Sequence, residues 1–96
     1  MENDLVTQKL REMSADLYRL TDRVIMESAP ARVRFVRSHG TGLAVRVYVA
    51  EGDEDLTADK NVYSLYSSHD RWLETQHNYL MCKARLIRIV TENKMP

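Results

Sequence analysis

The first quarter of the chain sorts its residues with a helical period. Val6, Leu10, Met13, Leu17, Leu20 and Val24 are spaced by alternating fours and threes, which places them on one stripe of a helix, and Leu5 and Ile25 widen it. Lys9, Glu12, Asp16, Arg19 and Arg23 fall on the opposite side. Asn3 or Asp4 can cap the start, and Pro30 forbids continuation at the far end. The same stripe suits two uses. It can lie across a sheet, or, read as an a/d repeat, it can form a seam with a second chain.

Past Pro30 the period drops to two. Ala31, Val33 and Phe35 alternate with Arg32, Arg34 and Val36, and after a glycine-bearing break Leu43, Val45, Val47 and Val49 alternate with Ala44, Arg46 and Tyr48. Keeping both valine sets on one face demands an odd loop. A Gly40-Thr41-Gly42 turn, with Gly42 in the left-handed position, meets that demand and pairs Phe35 with Val47 and Arg34 with Tyr48. The neighbouring choice of loop, His39 to Thr41, would set Arg34 against Arg46 and cost repulsion. The first register is therefore expected.

A polar stretch, "EGDEDLTADKN", separates this hairpin from the aromatic run "NVYSLYS", which reads as a third strand. Ser67 or Ser68 then looks like a helix cap ahead of an apolar series of Trp72, Leu73, Leu80, Ala84 and Ile87. Two other readings stay open: one long helix from near Asp59, and a final strand over "CKARLIRIV", where Cys82, Ala84 and Leu86 alternate with Lys83 and Arg85. The preferred assignment is an α+β fold of order α-β-β-β-α, with residues 1–96 as a single domain and both helices covering the valine face.

Composition narrows the function classes. The chain is 44% hydrophobic and 29% charged, an ordinary balance for a globular domain. Lysines and arginines total 14 against 14 acids, so a whole-molecule attraction to nucleic acid or anionic lipid is not expected. The zero conceals segregation: Arg32, Arg34, Arg37 and Arg46 occur in a stretch without acids, and Glu51, Asp53, Glu54, Asp55 and Asp59 follow without a base. Lone Cys82 cannot form an internal disulfide, the opening "MENDLVTQKL" has acids where a signal peptide needs a basic region, and no apolar run is long enough to span a bilayer. The expected setting is the cytoplasm, away from membranes.

Catalytic and metal chemistry find little support in the residues. Asp53, Asp55, Thr57 and Asp59 alternate like calcium-loop ligands, but Ala58 stands where such a loop needs glycine and Ser64 where it needs a bidentate glutamate. His77 and Cys82 are five apart, neither a zinc spacing nor a facing nucleophile–base pair, and "SHGTG" lacks the helix and lysine of a phosphate loop. His77, between Leu73 and Leu80, reads as a core or interface histidine. No enzyme activity, cofactor or metal is expected. The expectation is a protein-binding module, a regulator, inhibitor or adaptor, whose contact face carries Arg32, Arg34, Arg46 and Tyr48. Asp53, Glu54 and Asp55 form a second, acidic patch that a basic partner or another copy's arginines could meet, so a homodimer is one expected form. Weak nucleic-acid binding through the same arginine face is the alternative.

Overall fold

The computed structural model describes residues 2–38, 40 and 42–94, with side chains of the first helix from Leu5 onward. Helix α1 (Glu2–Met26) leads into strand β1 (Ala31–Arg37), strand β2 (Leu43–Glu51), strand β3 (Val62–Tyr66) and helix α2 (Trp72–Asn93). Single 3-10 turns at Asp59–Asn61 and His69–Arg71 precede β3 and α2. The architecture is the expected α-β-β-β-α order, with a three-stranded antiparallel sheet in the order β1-β2-β3. Neither open alternative forms: the segment from Asp59 makes one 3-10 turn and a strand, and "CKARLIRIV" is helical throughout.

α1 stops before Pro30 in a left-handed cap. The Ser28 N–H bonds the Ile25 carbonyl at 3.1 Å and the Ala29 N–H bonds the Val24 carbonyl at 3.0 Å, with Ser28 at φ 52°. This is the Schellman closure, filled here by serine where glycine is the unstrained residue. The stripe expected of α1 points inward. Leu17, Leu20 and Val24 are buried, and Leu10 and Met13 pack against them. The core consumes that stripe, leaving no seam for a second chain along it. Leu5 and Ile25, expected to widen the stripe, are exposed instead.

The hairpin has the expected register, Phe35 opposite Val47 and Arg34 opposite Tyr48. Gly42 takes the positive φ assigned to it, 89°. His39 and Thr41, the other residues on which the turn assignment rests, lie outside the described residues. Val45, Val47, Val49 and Leu65 face the helices and are buried, joined by Cys82, Leu86, Ile89 and Val90 of α2.

The rotation of α2 departs from expectation. Leu73, Leu80, Ala84 and Ile87 face solvent, Leu73 at 81% exposure, and Trp72 is only half-buried. Thr75, Cys82, Leu86, Ile89 and Val90 turn inward in their place. Hydrogen bonding at the sheet margin accounts for the choice. In this rotation the Thr75 hydroxyl accepts from the Tyr66 N–H at 2.9 Å, and Asn78 Nδ2 donates to the Ser64 carbonyl at 2.8 Å. The outer edge of β3 is thereby satisfied by helix side chains. β1 has no such cover. The Ser38 N–H bonds the Ala44 carbonyl at 2.9 Å, and antiparallel alternation then leaves Val33 and Phe35 with outward backbone groups. Charge guards that edge, through Arg32, Arg34 and Arg37.

A candidate interaction face on the open side of the sheet

Strand alternation sends every second side chain away from the helices. On that side the register sets Arg34 beside Tyr48, Val36 beside Arg46, and Arg46 beside Ser64, with Arg32, Val62 and Tyr66 completing the surface. Neither helix roofs these guanidinium groups: Arg32 and Arg34 are exposed and Arg46 is half-buried. All four residues named from the sequence, Arg32, Arg34, Arg46 and Tyr48, therefore share one face.

Their engagement differs. Arg32 Nη2 donates to the Gly52 carbonyl at 2.9 Å and to the Glu54 carbonyl, tying the hairpin to the β2–β3 loop. Arg46 Nε donates to Ser64 Oγ at 3.2 Å, which orients its guanidinium along the sheet. Among the described residues, Arg32, Arg34 and Arg46 have no carboxylate within 4.0 Å, and Arg34 has no side-chain hydrogen bond.

A concavity of about 570 Å³ opens beside them, lined by Arg46, Tyr48, Ser64 and Tyr66, with Asp59 and Glu74 also on its wall. Arg71 caps Tyr66, its guanidinium carbon 3.5 Å from the ring centroid, and is held there by Glu74 at 3.0 Å. None of Ser64, Tyr66, Glu74 and Asn78 was assigned to this face from the sequence. Ser64 and Tyr66 could have been found by carrying the two-residue alternation across to β3; the contributions of α2 depend on its rotation, which its apolar pattern leaves ambiguous.

The acidic stretch divides. Asp53 and Asp55 are exposed, and Asp55 accepts from the Thr57 N–H at 2.9 Å and hydroxyl at 2.8 Å, bonds that lower its pKa. Glu54 turns towards α2. It accepts from the Glu51 N–H at 2.8 Å, from Arg85 at 2.7 Å and from Lys60 at 3.1 Å. The Glu51 N–H, then Lys60, hold its carboxyl down to about 2. Of the predicted acidic patch, Glu54 is thus neutralised within the fold, while Asp53 and Asp55 remain at the surface.

Arg85 is the centre of that junction and was missed in the sequence. Its Nε reaches Glu51 at 3.0 Å, its Nη1 reaches Asn61 Oδ1 at 2.8 Å, and its side chain is only 15% exposed. Asn61, fully buried, donates in turn to the Asp55 carbonyl at 2.7 Å. Arg88 adds a second bond to Glu51 at 2.6 Å. Arg88, then Arg85, outweigh the burial that opposes them and lower the Glu51 pKa.

The remaining chemical candidates separate in space. Cys82 is buried and its thiol is pushed up to about 12 by burial, against a weak opposing pull from Arg85. His77 is exposed and thus no core histidine. Among the described residues, no three His, Cys, Asp or Glu side chains gather as a metal site, and no helix is long and apolar enough to cross a membrane. The fold and its face define an α+β domain with helices on one side of the sheet and an open, arginine-bearing side opposite. Comparison of the chain with protein-family models, curated proteins and solved structures gave no match.

Proposed function

We propose that this protein is a non-enzymatic binding module of the cytoplasm, a regulator, inhibitor or adaptor, whose open sheet face takes an acidic segment of another protein. The observation that carries the reading is the state of its arginines. Among the described residues, Arg34 and Arg46 lie on one face without a carboxylate partner, although the chain holds as many acids as bases. Arginine on such a face offers a carboxylate two parallel hydrogen bonds, and Tyr48 and Tyr66 supply rigid contact area beside it. Asp59 and Glu74 on the groove wall repel any anion that reaches them, so a segment whose few carboxylates are spaced to meet Arg34 and Arg46 fits where a continuous phosphate backbone does not. That favours a protein partner over nucleic acid.

Peptides of graded acidity, immobilised and probed with the wild-type chain and with Arg34→Glu/Arg46→Glu, test the proposal. The expected result is retention on acidic peptides that the double reversal abolishes while the melting temperature holds. Equal retention of the two chains, or none of either, overturns it. Retention on a single-stranded polyanion past physiological ionic strength, with none on acidic peptides, would assign the face to nucleic acid instead.

A further inference from the structure

α2 carries two apolar stripes, and the fold uses one. The inner one, through Thr75, Cys82, Leu86 and Ile89, closes the core. The outer one, Leu73, His77, Leu80, Ala84 and Ile87, repeats with spacings of four, three, four and three, the a/d rhythm of a helix seam. It faces solvent along its length, with Leu80 61% exposed and Met81 beside it. From Leu73 to Ile87 it runs about 21 Å.

We infer that this stripe is the contact through which two copies of the chain pair, α2 against α2 and antiparallel, about a two-fold axis at Leu80. The apolar stripe lies apart from the arginine face and meets it only at Glu74 on the groove wall, so the inference does not rest on that face. Side-chain order makes the stripe self-complementary. With Leu80 on its own symmetry mate, Leu73 meets the partner's Ile87, and small Ala84 leaves room beside the partner's His77. The flanking charges choose the direction. Glu74, Met81 and Arg88 line one margin of the stripe, Gln76 and Lys83 the other. An antiparallel pair sets each margin against itself, so Glu74 faces the partner's Arg88 twice and Met81 meets its mate. A parallel pair would set Lys83 against the partner's Arg88 twice, which repels. Glu74 and Arg88 are both about half exposed, and pairing across the axis exchanges their intrachain partners, Arg71 for Glu74 and Glu51 and Glu92 for Arg88, for one another.

Cysteine cross-linking of the full chain at micromolar concentration tests the pairing, because native Cys82 is buried and its thiol is held neutral. Under mild oxidation, Leu80→Cys is expected to give a covalent dimer of twice the 11.2 kDa chain mass. Leu73→Cys alone should give none, whereas Leu73→Cys mixed with Ile87→Cys should cross-link. Leu80→Glu, at a position already exposed and so harmless to folding, is expected to weaken the dimer about a hundredfold or more by sedimentation. A monomeric wild type, cross-linking of Leu73→Cys to itself, or an unchanged dimer in Leu80→Glu would each overturn the inference. The double variant Arg34→Glu/Arg46→Glu should keep the dimer, which separates this result from the fate of the arginine face.

Discussion

Arg85 and Arg34 are the same residue type put to opposite uses. Arg85 is enclosed by Glu51, Glu54, Asn61 and Tyr63, so every direction its guanidinium points meets an acceptor of the chain itself. Arg34 stands on the far side of the sheet and, among the described residues, has no such acceptor. The difference teaches where a cation is already spent. Guanidinium groups whose donors are satisfied internally hold the fold together, and those left without counter-ions on a rigid surface are available to something else. Total charge is zero in both accounts, so only placement separates them.

Graded truncation should widen this contrast. Arg85→Ala removes one partner each from Glu51 and Glu54, which keep Arg88 and Lys60, and leaves the buried amide of Asn61 short of a donor, and is expected to cost about 2–4 kcal/mol of stability by denaturant unfolding. Acid should act on the same junction. The Glu51 and Glu54 carboxyls titrate below their ordinary value of 4.5 in the folded chain, Glu54 at about 2. Their contribution is therefore complete above about pH 4.5 and lost as pH falls towards 2, and removing Lys60 and Arg88, the foremost side-chain donors to Glu54 and Glu51, should flatten the fall in melting temperature across that window more than Arg85→Ala does. Arg88→Ala, whose side chain is 45% exposed, should cost only about 0.5–1 kcal/mol. Arg34→Ala should change stability by less than about 0.5 kcal/mol. An Arg34→Ala loss as large as that of Arg85→Ala would erase the distinction.

Those two arginines also mark how far the sequence could be read. The register around Arg34 follows from local facts: the two-residue period, an odd glycine loop, and the repulsion that excludes Arg34 opposite Arg46. α1 was legible for a similar reason, since its main apolar stripe has one place to go. Arg85 was illegible because its partners Glu51 and Glu54 lie 34 and 31 residues away, and nothing local signals the meeting. α2 failed differently. Its two stripes compete for the core, and the winner is decided by Thr75 and Asn78 closing the edge of β3, a margin known only once the sheet is assembled.

The sharpest test reads both kinds of arginine in one sample. With the chain labelled at arginine nitrogens, the Nε–H resonances of Arg34, Arg46 and Arg85 can be followed as an acidic peptide is added. Arg34 and Arg46 should shift and gain protection from exchange with water, while Arg85 stays fixed. Unmoved hairpin signals, or a shift centred on Arg85, would contradict the assignment of the open sheet face as the contact surface.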